Sequence, residues 1–485
     1  MRRRAIILSA VVVITLLAVG IAQALLPDFG SQRDQLLESQ VSARFGVSSV
    51  LPASSTASVS QAQALANPAS LVTLAKGLTA HAVTTTTGQT AGPNIDQMVL
   101  WPDRSNPQWI IACNEQGASD PGLQRIDLTT DDTTTIVTGT VSCDPTRATP
   151  WGTVLFGEED GGGPTGGRMY ELIDPIHTTG VTLDRDTGTF SGGTGAGNLV
   201  ARPALGRLSF EGLGILPNGV TYYADENRPS TGTAGGAYFK FIPTHLYDPS
   251  SGPISDLSQS PLASGSIFGL RLGKRSGNTD YGQGTEFGMG TWIPVPAAAD
   301  PDLRAQAAAL KLTGYYRPED MELDPTAIAA GDVKWCANNT GNESQDHLWG
   351  ETICLTDGTV SGAATNAGTP EVQPFVIGNP EFAMMDNIAY QPGRGDWVIH
   401  EDGDGPILTP KRNNDLWDCL PDGSDDDQQT DGCDRIASIN DLVGADGEGA
   451  EWTGGIFDAS GTHFFVSVQH SIAGVAVVLD ITGWK

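Results

Sequence analysis

Ser142-Cys143-Asp144-Pro145-Thr146-Arg147-Ala148-Thr149-Pro150-Trp151-Gly152-Thr153-Val154-Leu155-Phe156-Gly157-Glu158-Glu159-Asp160 is the stretch on which the fold turns. A cysteine precedes a proline-stiffened turn, a short apolar strand follows, and the strand stops at three adjacent carboxylates. Like charges side by side repel, so the triplet is either a solvated turn or is neutralised by something positive. The same ending recurs along the chain. WIIACNEQ closes on Asn114 and Glu115, VTYYADEN on Asp225, Glu226 and Asn227, VKWCANN on Asn338 and Asn339, DWVIHEDG on Glu401 and Asp402, and HFFVSVQH on Gln469 and His470. Asp and Asn stop strands at turns for local reasons, so one such ending carries no weight. Six of them, each followed by a turn and often a second strand, fit a β-propeller. There the innermost strands run side by side around a channel, and strand ends bearing oxygen ligands converge on one axial site. Their uneven spacing fits blades with long inserted loops better than a strict repeat array.

Composition agrees with an all-β chain. Across 485 residues there are 60 glycines and 30 prolines, and only 17% of residues are charged. Short strands joined by tight turns suit that balance. The formal net charge of −30 argues against nucleic-acid and anionic-membrane binding, and suits either cation binding or a surface adapted to salt. Arg2, Arg3 and Arg4 precede an apolar run from Ala5 to Ala22, and Ala22-Gln23-Ala24 is a small-x-small cleavage pattern. Residues 1–24 therefore read as an export signal or, uncleaved, as a membrane anchor; the paired arginines leave the twin-arginine route open. Either way a periplasmic or extracellular protein is expected, touching a membrane only through this segment. Residues 25–94 read as a partly flexible lead-in with one short helix over Pro68–Val83, and residues 95–485 as a single propeller domain. Export permits disulfides, and the short gaps suggest Cys336–Cys354, Cys419–Cys433 and Cys113–Cys143.

Candidate oxygen ligands for a hard cation such as calcium are Glu158, Glu159, Glu211, Asp225, Glu226, Glu319, Asp386, Asn387, Glu401 and Asp402. In YYRPEDMELDP, Arg317 and Glu319 flank a proline that stiffens their separation. An arginine beside a metal-bound carboxylate is placed to hold a phosphate bidentately; its plainer role is an ion pair with Asp320 or Glu322. Cys143 is either a thiolate ligand for a soft metal or half of a disulfide with Cys113, and the local sequence favours the disulfide. DGSDDDQQTDGCD has calcium-loop composition without EF-hand spacing, and reads equally as a solvated loop. His400 and His470 stand at strand ends, where hydrogen-bonded structure is the ordinary role.

CDPTRATPWGTVLFGEED, FEGLGILPNGVTYYADENR, YYRPEDMELDP, CANN, MMDNIAYQPGRGDWVIHEDG and GAEWTGGIFDASGTHFFVSVQH, in this order, resemble the successive motifs of the PhoX-type alkaline phosphatases. The resemblance runs from about residue 95 to the end. It implies a six-bladed β-propeller with an axial cluster of calcium and ferric iron that hydrolyses phosphate monoesters outside the cytoplasm. Carried over, Cys143 becomes an iron ligand, Glu159, Glu211 and Glu319 metal ligands, and Arg317 the phosphoryl-binding group. Glu158, Asp386, Asn387, Glu401 and Asp402 fall in metal-facing motifs. Phe210 stands where the family usually has histidine, and Cys113 has no counterpart in the motif. The expected function is an exported metal-dependent phosphomonoesterase, a monomer acting on small-molecule phosphate esters, with Arg317 and Glu319 catalytic. Two rivals are a calcium-dependent lactonase-like propeller hydrolase and a non-catalytic, calcium-stabilised surface or binding protein.

Overall fold

A computed structural model describes residues 39–84, 91–229, 234–273, 287–341, 349–403, 411–423, 427–444 and 449–485. The expected signal or anchor at 1–24 lies outside the described residues, as does the start of the lead-in. Among the described residues, no helix is long and apolar enough to cross a membrane.

The chain is all-β in a propeller-like arrangement with few, short helices. Six strands define its axis: Ile95–Trp101, Cys143–Ala148, Phe210–Ile215, Pro318–Leu323, Met385–Tyr390 and Glu451–Phe457. Each ends a sheet. Each packs against the next, and the last against the first, so they close a ring. Outward from each, strands follow in antiparallel order, except that Val181–Asp184 pairs parallel with Thr133–Thr138. The strands nearest the axis are buried on both faces, because neighbouring sheets cover both. That is why Val154–Glu158 and Trp397–Glu401 are buried at every position and read as unbroken apolar runs up to their carboxylates.

Among the described residues, hydrogen bonding gathers the strands into five sheets, where six separate blades were expected. One sheet has nine strands, with Phe210–Ile215 at one end and Pro318–Leu323 at the other. Its two halves meet far from the axis, where Gly288 pairs with Val372 and Met289 with Glu371. Two outer strands with unpaired edges have satisfied each other there.

The N-terminal segment differs from the expected lead-in. The helix forms earlier, over Gln61–Ala66, where Ser60 and Gln63 make a reciprocal capping box. Of the residues expected to be helical, Pro68–Leu71 form a single 3-10 turn and most of the rest are extended. Val72–Leu74 pairs with Cys433–Ile439, and Thr79–Ala82 with Val477–Thr482. Gly77, with φ of 114°, breaks the run between them. Leu71 and Leu78 are buried in a cluster with Trp452, Phe464 and Val466. The domain thus begins well before residue 95, and residues from near both ends of the described chain share two sheets.

Each of the six axial strands carries a register slip near its start: Ile95/Met98, Cys143/Thr146, Glu211/Leu213, Pro318/Met321, Met385/Ile388 and Thr453/Ile456. Bulges of this kind re-aim side chains. Six repetitions at one end of the ring make that end the place to look for function. The cysteines are all paired: Cys336–Cys354 and Cys419–Cys433 join register partners within sheets, while Cys113–Cys143 joins two sheets.

Candidate metal centre

The strand endings singled out in the sequence all lie at this bulged end. The last residue of each second strand opposes the first residue of its axial strand: Asn114 faces Ile95, Glu158 Cys143, Asp225 Phe210, Asn339 Pro318, Glu401 Met385 and Gln469 Glu451. Side chains alternate along a strand, so adjacent residues point to opposite faces. This separates the endings into two classes.

The terminal carboxylates mostly turn away and are locked. Glu158 accepts from Arg185 Nε at 2.7 Å, the Tyr170 hydroxyl at 2.8 Å and the Val141 amide at 3.0 Å. Asp225 accepts from Arg304 Nη2 and Nε, at 2.6 and 2.9 Å. Glu401 is gripped by Arg412 and by the Ala383 and Asp415 amides at 2.9 and 3.0 Å. Glu158 and Glu401 are thus not the free metal ligands expected: their oxygens are consumed by arginine and backbone donors. Asn387 likewise serves inside the fold, donating to Asp96 Oδ1 at 3.2 Å and accepting from the Gly454 amide. Cys143, expected from the resemblance to bind iron, is bonded to Cys113 within an apolar cluster with Val99, Val154 and Phe156, so it carries no thiolate. Phe210, at the position of the family's histidine, is buried against Tyr223 with ring centroids 5.5 Å apart.

The next residue along, one past the strand, turns inward. Glu115 and Glu159 come together with Asp144, their ligand atoms all within 4.8 Å of one another. Glu226 and Asp402 hold Arg317, Asp402 at 3.0 Å. The Thr340 hydroxyl donates to Glu319, and His470 Nε2 lies 3.2 Å from Glu451. A second trio, Glu211, Glu319 and Asp386, has its ligand atoms within 4.8 Å and comes from three successive axial strands. Gln97 donates to Glu211 Oε1 at 2.8 Å, but Glu211 Oε2 and Asp144 Oδ1 are buried with no hydrogen-bond partner among the described residues. Burial, and then neighbouring negative charge, pushes the pKa of Glu211, Asp144, Asp386 and Glu159 well above the usual carboxylate range. Glu319 moves the same way through burial, against the pull of Arg317. All these donors are carboxylate oxygens, the set that hard divalent cations take.

Arg317 closes the centre. Its φ of 59° is left-handed, directly before Pro318. Besides Glu226 and Asp402, its Nε lies 2.9 Å from Glu319 Oε1. Burial works against its charge, but Glu319, Glu226 and Asp402 more than offset it, so it stays protonated. Its plainer expected partner, Asp320, instead binds Arg147 at 2.6 Å. Beside it opens a cleft of about 380 Å³ lined by Glu115, Ser142, Arg228, Asp402, Glu451 and His470. His400 is a core residue, fully buried near Phe464, and burial pulls its pKa down to about 3.

Sequence reading missed Asp96, Asp144 and Glu451 in the centre, and noted Glu115 only as a strand ending. The signal was present. Asp96, Asp144, Glu211, Glu319 and Asp386 each occupy the second position of an axial strand. Aligning those strand starts, rather than the strand ends, would have revealed them.

Comparison with known proteins follows this architecture. Residues 73–471 match the family alkaline phosphatase PhoX. Among solved structures, Pseudomonas fluorescens PhoX in complex with vanadate, a transition-state analogue, aligns with a TM-score of 0.60 at 16% identity, covering 89% of this chain and 98% of that one. The soluble aldose sugar dehydrogenase of Escherichia coli aligns with a TM-score of 0.40 at 12% identity, covering 84% and 99%. No curated protein matches. With the family match spanning every axial strand, the chain belongs to the alkaline phosphatase PhoX family and is a hydrolase.

Proposed function

We propose that the protein is an exported, metal-dependent phosphomonoesterase acting on small phosphate esters at the centre of the ring. The observation that carries this reading is the Glu211–Glu319–Asp386 trio, with Glu211 Oε2 buried and without a partner among the described residues and Glu319 against Arg317. The donor set fits calcium: hard oxygens, close together, short of positive charge. It does not fit iron held by a cysteine thiolate, because Cys143 is in a disulfide, and no step is derived through iron. Three disulfides suit an oxidising compartment. The nine-stranded sheet is read as two blades sharing an outer edge, giving a six-bladed propeller.

Glu211, Glu319 and Asp386 would hold the cation, which when bound supplies Lewis-acid polarisation of a phosphoryl oxygen and a more acidic water. Arg317 is the residue for the phosphoryl group. Glu226, Glu319 and Asp402 engage its Nε and Nη1; among the described residues Nη2 has no acceptor, and it is the donor that would meet an equatorial oxygen as charge develops there. Thr340 and Arg317 together fix the Glu319 carboxylate, so its rotamer is set before substrate arrives. The acidic surround repels free anions, so a phosphate ester would depend on Arg317 and the bound cation for binding.

The test is turnover of p-nitrophenyl phosphate and of a simple lactone by the calcium-loaded protein and by Arg317→Ala. Phosphate-ester hydrolysis that falls about 10²–10³-fold in the variant supports the reading. Hydrolysis of the lactone alone, or an unimpaired variant, refutes it.

A further inference from the structure

We propose that this chain builds an all-oxygen centre: Glu115, Asp144 and Glu159 form a second hard-cation position where the resemblance implies an iron–thiolate, and the Cys113–Cys143 disulfide is its tether. The inference rests on the reading that the centre binds cations. Ligand atoms of the three carboxylates lie within 4.8 Å of one another. Asp144 is 5% exposed, and its Oδ1 has no hydrogen-bond partner, which points to a missing positive neighbour.

The covalent geometry explains how three like charges stay together. Cys113 lies two residues before Glu115, and Cys143 directly precedes Asp144. Their bond joins two sheets and so sets the separation of the two ligands. Glu159 is tied to the same turn, its amide donating to the Ser142 carbonyl at 2.8 Å. Gln469 Nε2 donates to Glu115 Oε2 at 2.7 Å and orients that side chain. Outer partners that fix a ligand's rotamer commonly govern affinity about 10–100-fold. A disulfide sulfur has no thiolate charge, so the soft donor that would select iron is absent, while the remaining carboxylates suit calcium.

The full mature chain, purified without chelators, would be assayed for thiols in denaturant, for metals by mass spectrometry, and for calcium binding by calorimetry. Expected are no free thiols, no iron and more than one calcium per chain. Glu115→Gln should abolish one binding event and spare the other, and Cys113→Ala/Cys143→Ala should weaken the same event about tenfold or more. If the double cysteine variant does not fold, Glu115→Gln decides the matter. Stoichiometric iron with two free thiols, and visible absorption lost in Cys143→Ala, would overturn the inference. So would a single calcium indifferent to Glu115→Gln, with the phosphatase reading left standing. A protein that binds no cation would remove both.

Discussion

Glu158 and Glu211 are equally buried carboxylates at the same end of the ring, and their surroundings are opposites. Glu158 has an arginine, a tyrosine hydroxyl and a backbone amide on its oxygens. Glu211 has one amide donor on Oε1, nothing on Oε2, and acids around it. Asp225 and Glu401 belong with Glu158; Asp144 and Asp386 belong with Glu211, and Glu319 stands between the two, held by Thr340 and Arg317 but surrounded by acids. The first class is complete within the protein and holds sheet ends together. The second is left short of positive charge, and a buried carboxylate in that condition is expensive unless a ligand relieves it. Identity of side chain does not separate the classes; partners do.

The largest effect that would test this contrast comes from breaking a lock. Arg412→Ala leaves Glu401 buried without its charge partner, and should cost about 3–5 kcal/mol in chemical denaturation. A loss near zero would mean Glu401 is not a lock.

Glu211→Gln should do the reverse. Phosphatase turnover should fall by about 10–100-fold or more, while the calcium-free variant melts at the same temperature as the parent or above it, because a buried repulsive charge is gone. A marked drop in calcium-free melting temperature would move Glu211 into the first class.

Calcium and pH should act together. Burial raises the folded pKa of Glu211, Glu319 and Asp386 above their unfolded values. Their contribution to stability is therefore full below the ordinary carboxylate range and is lost as pH rises through the raised values. Calcium-free protein should lose stability from pH 5 to pH 8, and the melting-temperature gain on adding calcium should be greater at pH 8. Equal gains at both would show that these groups are not the ones calcium relieves.

The smallest effect is expected at Arg185→Ala. Arg185 is 24% exposed, and Glu158 keeps Tyr170 and Val141. The cost should be about 1 kcal/mol, measured by urea unfolding.

Much of this was legible beforehand. Recurrent strand endings in carboxylates and amides marked the end of the ring where the buried carboxylates gather, because a strand's last residue sits wherever its strand does. The pairs Cys336–Cys354 and Cys419–Cys433 followed from proximity in sequence. The helix over Pro68–Val83 was misread because Leu71, Leu74 and Leu78 have helical spacing, whereas the burial that decided their conformation came from strands near the other end of the chain. Asp144 was overlooked inside the opening stretch because its neighbour Cys143 drew attention, and a bulge rather than a motif aims it inward.

The amino-acid sequence by itself determined the strand content, the acidity, and which strand ends would gather carboxylates, since these depend on local pattern and chain connectivity. Only the tertiary structure decided which carboxylate of each adjacent pair was locked by an arginine and which turned toward the centre of the ring. That choice depends on where Arg185, Arg304 and Arg412 come to rest, each brought in from a different loop or helix, and on the half-turn between neighbouring side chains that strand geometry imposes.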